Sequence, residues 1–217
     1  MGLGEVEPQR LDSKYYFMKQ YVRNLMKSDA RVVKLSEIAT IQQPMIVPSR
    51  TPDKEYYYLE VPDTSEETGL IGDIKRVKGR LVNGSKVRFR AGDILFVRIF
   101  PEKNRIAIVP EGIDEGVCSN EIFIVRSKNP KEMDPYLLLA SLKSRIVSNQ
   151  VKDLIAGSSS SRPRLSRELL EDILVPVLSR EDGEAVAETM RRILRDYWSS
   201  SQGFVRGYEE IKARFGE

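Results

Sequence analysis

The 217-residue sequence predicts an α+β fold, in which a curved, mostly antiparallel sheet carries flanking helices and a long helical arm at the C-terminal end. Short runs of β-favouring residues, separated by turn residues, fill 32–125, and capped helical patterns follow from 134 onward. From 179 to 215, apolar residues recur at heptad spacing. We therefore expect two parts, a sheet domain at 1–178 and a helical segment at 179–217.

Alternating polarity and turn residues locate the strands. In 86–90, basic and apolar residues alternate, so one face is expected in the core and the other presents cations. Asn83-Gly84 lies between apolar residues and predicts a hairpin. A short helical turn is expected at 36–39, and the full set of expected strands is 32–35, 56–61, 86–90, 93–98, 105–109, 121–126 and 173–178, with Pro176 indicating an edge position for the last.

Capping residues mark the helices. Residues 13–27 carry apolar side chains at three- and four-residue spacing after a capping serine. Asp134 precedes a proline at the first helical position and predicts a helix to 143. A second stretch, 147–156, is expected to end at Gly157, and Ser166 caps a short helix after it.

The C-terminal segment carries the heptad pattern, which predicts a helical arm packed against a helix of a partner or of a second copy. Two helices that fold back on the sheet domain are the alternative, because Ser199 to Gly203 weakens the middle of the pattern. The residues expected at the helix interface are Val186, Met190, Ile193, Tyr197, Phe204 and Ile211.

The composition excludes several chemistries. The chain has no histidine and one cysteine, so Ser-His-Asp and Cys-His catalysis and a structural zinc site are excluded. Cys118 is expected to be a small core residue, and a single cysteine fits a reducing cytoplasm. No run of eighteen apolar residues and no signal peptide is present, so we expect a cytoplasmic protein. The sequence has no Gly-rich cofactor loop, so no cofactor is expected.

Charge is concentrated in one segment, although the chain total is only +3. Between Lys75 and Arg105 there are ten basic and two acidic residues, a net charge of +8 that leaves −5 for the rest. This imbalance is typical of a polyanion-binding face, whereas a solvated strand surface is the plainer interpretation.

Two segments about sixty residues apart fit such a face. GDILFVR (92–98) predicts a buried strand that delivers Arg98 to the surface, and GSSSSRPRLS (157–166) predicts a loop whose amides, hydroxyls and arginines suit a phosphate. Gly followed by four serines is by itself typical of a flexible loop. The candidate DNA contacts are Lys86, Arg88, Arg90, Arg98, Lys103, Arg105, Ser158, Ser159, Ser160, Ser161, Arg162 and Arg164.

Two other functions compete with DNA recognition. Asp63, Asp73 and Lys75 are spaced like the carboxylates and lysine of a Mg²⁺-dependent nuclease, although an acidic surface loop explains them as well. A protein adaptor whose basic face meets an acidic partner is the other alternative.

A known family carries a similar order of segments. The chain resembles the target-recognition domain of the specificity subunit of type I restriction–modification systems in RLDSKYY (10–16), VKLSEIA (33–39), GDILFVR (92–98), IAIV (106–109), GSSSSRPRLS (157–166), ILVP (173–176) and the long helix that follows. The resemblance extends over nearly the whole chain and rests on the order and spacing of loose motifs.

The resemblance implies a non-catalytic subunit. The domain would bind one half of a split double-stranded DNA target, and the long helix would set the distance to the second half and dock DNA adenine methyltransferase subunits. Methylation would belong to those partners, and restriction to a motor–nuclease subunit. Full specificity subunits carry two recognition domains and two long helices, so one of each here implies either a half-subunit that dimerises or a fragment of a longer protein.

Overall fold

A computed structural model describes residues 31–72, 74–156 and 161–215, with side chains as far as residue 201. The strands are β1 (Arg31–Lys34), β2 (Ala39–Gln42), β3 (Met45–Ile46), β4 (Glu55–Leu59), β5 (Lys75–Lys78), β6 (Lys86–Phe89), β7 (Ile94–Val97), β8 (Ile106–Ile108), β9 (Gly116–Cys118), β10 (Ile122–Ser127) and β11 (Leu174–Val177). The helices are α1 (Leu35–Ile38), α2 (Pro135–Leu142), α3 (Arg145–Ile155), α4 (Arg167–Glu171) and α5 (Arg180–Phe215). The helix expected at 13–27 lies outside the described residues.

The strands form three sheets with the orders β1-β11, β2-β10-β7-β8 and β3-β6-β9-β4-β5. Every pair is antiparallel except β4 with β9, where Tyr58 lies opposite Val117. The prediction of an α+β fold built mainly from antiparallel strands is therefore confirmed. The strands at 39–42, 45–46, 75–78 and 116–118 were not expected, because each is short or lacks a clear alternation.

The four-stranded sheet is the middle layer, and it separates two hydrophobic cores. On β7, Ile94 and Phe96 belong to the core shared with the helices, whereas Leu95 and Val97 belong to the core shared with the five-stranded sheet. All four residues of β7 are buried for this reason. A strand covered on both faces has no polar alternation, which explains the continuous apolar run in the sequence.

Side-chain caps fix the starts of α2, α3 and α4; those of α2 and α4 are as the sequence predicts, whereas α3 begins two residues before the expected 147. The carboxylate of Asp134 accepts a hydrogen bond from the amide of Tyr136, with Pro135 at the first helical position. Ser144 caps α3 and Ser166 caps α4, each through its hydroxyl. A capping oxygen satisfies an amide that has no partner within the helix, so these residues set where each helix begins.

Asn83-Gly84 does not connect a hairpin, and that prediction is wrong. Gly84 adopts the positive φ of a turn, at 69°. The strands on either side of it, however, lie apart in the sheet: β5 pairs with β4 at one edge, and β6 pairs with β3 and β9. A 3-10 turn at Gly79–Leu81 leads the chain away from β5, so the local turn signal does not bring its flanking strands together.

The last helix, α5, is continuous over 36 residues, which corresponds to about 54 Å. Its first half docks on α2, where Gly183 permits close approach to Leu137. Ala187 and Leu194 are buried on the same face. The alternative of two separate helices is therefore wrong. The two-part division at 178 stays a prediction, since the start of this helix shares the core of the sheet domain.

Candidate nucleic-acid interface

The two segments singled out in the sequence lie side by side. Ile99, just after β7, forms an antiparallel bridge with Arg164. The amide of Phe100 donates to the carbonyl of Pro163 at 3.0 Å, and the amide of Leu165 donates to the carbonyl of Arg98 at 2.9 Å. The buried Leu165 side chain anchors the strip in the core. Tertiary folding thus places residues 98–100 and 163–165 in one partly exposed strip of the surface.

Three side chains meet at this strip, and we call Arg98, Arg164 and Glu121 the arginine junction. Arg164 binds Glu121 through one edge of its guanidinium, with its Nε 2.9 Å from Oε1 and 3.1 Å from Oε2 and its Nη2 2.7 Å from Oε1. This ion pair raises the pKa of Arg164. Arg98 Nε lies 4.0 Å from Glu121 Oε2, and its guanidinium lies over the ring of Phe123.

Gly92 and Asp93 prepare the strand that carries Arg98. Gly92 adopts a φ of 78°, which a residue with a side chain rarely tolerates, in the turn before β7. Asp93 is almost fully buried and accepts hydrogen bonds from the amide of Arg90 and from the guanidinium of Arg126 on β10. Gly92 and Asp93 therefore hold the start of β7 against β10, and the Asp93 carboxylate does not face the surface strip.

Arg105 holds a loop together. Its guanidinium donates to the carbonyls of Val61, Pro62 and Thr64, and it forms an ion pair with Glu66 at 2.7 Å. The Arg105 side chain is only 19% exposed, so little of it is left for a ligand. Lys103 lies 3.5 Å from the same Glu66 carboxylate and is 49% exposed. Of these two candidates, Lys103 is therefore the more accessible cation.

The alternation predicted at 86–90 is present on β6. Val87 and Phe89 are fully buried, and Arg88 and Arg90 are exposed. Lys86 lies over the ring of Tyr58 and 3.3 Å from Glu60, which also accepts a hydrogen bond from the Tyr58 hydroxyl. The outer face of the five-stranded sheet therefore presents two arginines beside an internally paired lysine.

Acids from elsewhere in the chain neutralise much of the basic segment. Glu60, Glu66, Glu115 and Glu121 all lie outside 75–105, and each is within 4.0 Å of at least one of its cations. The excess of +8 along the sequence is therefore much smaller in space. Nothing in the composition of 75–105 indicates this pairing, because it depends on which strands are neighbours.

The proposed nuclease residues have other contacts. Asp63 accepts a hydrogen bond from the amide of Glu60 at 2.7 Å, which caps the 3-10 turn Val61–Asp63. Lys75 is exposed on the edge strand β5, and Asp73 lies outside the described residues. Within the described ranges, no group of three His, Cys, Asp or Glu residues is placed to hold a metal ion. Cys118 is a core residue, as predicted, and burial raises the pKa of its thiol.

The remaining predicted site residues divide between the described and the undescribed parts. Ser161 and Arg162 are exposed beside the arginine junction, whereas Ser158, Ser159 and Ser160 lie outside the described residues. On α5, Val186 and Met190 pack against the core of their own domain, and Ile193 and Tyr197 are exposed. The side chains of Phe204 and Ile211 are not described. No helix in the described ranges is long and apolar enough to cross a membrane.

Sequence reasoning missed Glu121 and Phe123 as parts of the site. Glu121 ends the turn before β10, and Phe123 lies two residues later on that strand. Both reach Arg98 because β7 and β10 pair, with Val97 opposite Ile122. Knowing that β7 pairs with β10 would have revealed both residues. Neither strand, however, contains residues that specify its partner strand.

Comparison with solved structures defines the class of fold. No protein-family model and no curated protein matches the chain. Solved structures do match, at 13–22% sequence identity, and three of them come from type I restriction–modification systems. The chain therefore has the fold of a type I restriction–modification S subunit, over about half of that subunit's length, and the resemblance seen in the sequence is confirmed at the level of the fold.

The three structures give consistent overlaps. The HsdS subunit from Thermoanaerobacter tengcongensis matches with a TM-score of 0.65 and 19% identity, over 87% of this chain and 48% of its own. A chain from a study of the assembly and conformational transition of a type I system matches with a TM-score of 0.63 and 22% identity, over 85% of this chain and 45% of its own. The S subunit from M. genitalium matches with a TM-score of 0.54 and 13% identity, over 92% of this chain and 48% of its own.

Proposed function

We propose that this chain binds double-stranded DNA in a sequence-specific manner, as one target-recognition half of a type I specificity subunit. The observation that carries the proposal is the meeting of two arginine-bearing segments at one partly exposed strip, on a fold shared with S subunits. Arginines on a surface can bind phosphates through two parallel hydrogen bonds, and arginines can also recognise guanine. Arg88, Arg90 and Lys103 are further exposed cations of the basic segment.

The partners follow from the same proposal. A DNA adenine methyltransferase subunit would carry out methylation, and a motor–nuclease subunit would carry out restriction, so this chain itself would not be an enzyme. The chain spans about half the length of the matched S subunits, and a split target would need two recognition halves. We propose that a second copy supplies the other half, with the exposed Ile193 and Tyr197 of α5 in the contact.

Selection from a randomised duplex pool tests the proposal. The protein is incubated with the pool, alone and with a co-encoded adenine methyltransferase, and the retarded DNA is sequenced. An enriched split motif is the expected result, and a palindromic arrangement would indicate two copies. Absence of enrichment in both samples would reject sequence-specific recognition. A parallel incubation with Mg²⁺ checks for cleavage, which would favour the nuclease alternative.

The first prediction concerns the loop arginines. Arg162→Ala combined with Arg164→Ala is expected to weaken binding to every duplex about equally, and to lower the slope of log K against log salt by about one to two units, since each phosphate contact releases counterions. Mobility shift at four salt concentrations measures both quantities. The matched control is Arg180→Ala with Arg192→Ala on α5, which removes the same charge. An unchanged affinity and slope in the loop variant would contradict the role.

A further inference from the structure

The carboxylate of Glu121 binds the guanidinium of Arg164 in the way that a phosphate would. Three hydrogen bonds of 2.7–3.1 Å join the two groups, and their donors are the Nε and the Nη2 of the arginine. A guanidinium presents a planar fork of donors that matches the oxygens of either a carboxylate or a phosphate. The Arg164 guanidinium is therefore an anion-binding group whose donors are already bound to an anion of the same chain, the Glu121 carboxylate.

This ion pair is not needed to hold the loop in place. The backbone of 163–165 is bonded to 98–100 on both sides of the bridge, and Leu165 is fully buried. The side chains of Arg164 and Glu121 are 40% and 29% exposed, so solvent screens their attraction. A partly exposed pair of this kind contributes little to stability, and another anion can replace the carboxylate at small cost.

Arg98 has a donor that Glu121 does not satisfy. Its Nε is buried and has no hydrogen-bond partner within the described part of the chain. The nearest oxygen of Glu121 is 4.0 Å away, beyond hydrogen-bond distance. An unsatisfied buried donor is costly, so this arrangement is incomplete. A phosphate offers more acceptor oxygens than one carboxylate, and both arginine side chains are partly exposed, at 28% for Arg98 and 40% for Arg164.

We infer that Arg98 and Arg164 form a seat for one phosphate of the DNA backbone, and that Glu121 fills this seat until DNA displaces it. The inference rests on the proposed function and deepens it. Displacing Glu121 costs free energy, and this cost offsets part of the attraction between the seat and a DNA phosphate, whatever the DNA sequence. Glu121 therefore lowers non-specific affinity and leaves more of the binding free energy to contacts that depend on sequence.

Removing the charge of Glu121 tests the seat. Glu121→Gln keeps the side-chain shape and is expected to lower the dissociation constant for a random duplex by about two- to fivefold, the range of an exposed ion pair. The salt slope is expected to steepen by up to about one unit. Glu184→Gln is the matched control, because Glu184 also pairs with an arginine, on α5, and the net charge changes equally. The affinity of the Glu184→Gln variant for the same duplex is expected to rise less than that of Glu121→Gln.

A second background separates this seat from a general charge effect. In Arg164→Ala protein, Glu121→Gln is expected to bring no more gain than the Glu184→Gln control, because the guanidinium that the glutamate bound is absent. A gain of the same size in both backgrounds would overturn the inference. So would weaker binding by Glu121→Gln alone, since the carboxylate would then be orienting Arg164 for its ligand.

Arginine side-chain NMR distinguishes failure of the seat from failure of the proposed function. Inorganic phosphate is titrated into ¹⁵N-labelled protein, and the Nε resonance of Arg164 is followed. We expect it to shift at lower phosphate concentration in Glu121→Gln than in the wild-type protein. If it shifts while no variant binds DNA, the anion seat stands and DNA recognition fails. If it does not respond in Glu121→Gln, the seat is rejected whatever the DNA result.

Discussion

At the scale of the residue, Asp93 shows how one buried charge positions the site. Its carboxylate accepts two hydrogen bonds from Arg126, at 2.5 and 2.8 Å, and one from the amide of Arg90. The Asp93 side chain is 2% exposed and that of Arg126 is 27% exposed. Hydrogen bonding to Asp93 is the largest cause of the raised pKa of Arg126. Because Asp93 precedes β7, this pair fixes the strand that ends just before Arg98.

Asp93→Asn is expected to lower the free energy of unfolding by about 2–3 kcal/mol. The amide would keep one acceptor but turn two donors toward donors of Arg126 and Arg90, and Arg126 would lose its counter-charge. Urea unfolding measures the loss. Asp114→Asn, at an exposed position, makes the same charge change and should stay within about 0.5 kcal/mol of wild type. Equal effects in the two variants would remove the structural role from Asp93.

At the scale of the element, α5 has two faces with different surroundings. Ala187 and Leu194 are buried against the domain, at 4% and 7% exposure, whereas Ile193 and Tyr197 are about half exposed. The heptad pattern in the sequence combined residues from both faces into one interface. Its members Val186 and Met190 contact the chain's own core, so among the members whose side chains are described, Ile193 and Tyr197 are available to another molecule.

Adjacent substitutions on α5 separate the two faces. Leu194→Ala is expected to lower the free energy of unfolding by about 2 kcal/mol, because it removes buried apolar contacts. Ile193→Ala is expected to change it by less than about 0.5 kcal/mol. If α5 joins two copies, Ile193→Ala should instead weaken self-association in sedimentation equilibrium. Equal destabilisation by the two variants would contradict the docking of α5 on α2.

At the scale of the whole molecule, Lys143 links three parts of the fold. Its ammonium group, just after α2, donates to the carbonyls of Glu66 and Asn104 at 3.0 and 2.9 Å. These carbonyls belong to the 61–66 loop that Arg105 closes and to the turn before β8. Burial is the largest cause that lowers the pKa of Lys143, from 10.5 to about 8. Packing of the layers thus places a cation where water is partly excluded.

The lowered pKa of Lys143 predicts a pH dependence of stability. Between pH 8 and about 10.5 the unfolded chain holds the Lys143 proton more tightly than the folded protein does, so this group's contribution to the free energy of unfolding rises with pH. The stability of the wild-type protein relative to Lys143→Met should therefore increase from pH 7.5 to 9.5 in urea unfolding. Lys152→Met, at an exposed position, is the control. A difference that does not vary with pH would contradict the shift.

Local sequence determined much of the architecture of this protein. Apolar runs and alternation predicted β6, β7, β8 and β10, and Asp134 and Ser166 marked the starts of their helices correctly. These signals depend on burial of a face and on satisfaction of the first helical amides, which act within a few residues. The absence of histidine excluded whole classes of catalysis without any structure.

Tertiary structure alone decided the strand neighbours and the charge of the surface. Asn83-Gly84 makes its turn, yet β5 and β6 lie apart. Glu60, Glu66 and Glu121 pair with Lys86, Arg105 and Arg164 across 26, 39 and 43 residues of sequence. Attraction between charges depends on distance in space, and that distance follows from the order of strands in the sheets. A segment that is strongly basic along the sequence therefore becomes a largely paired surface with one arginine junction.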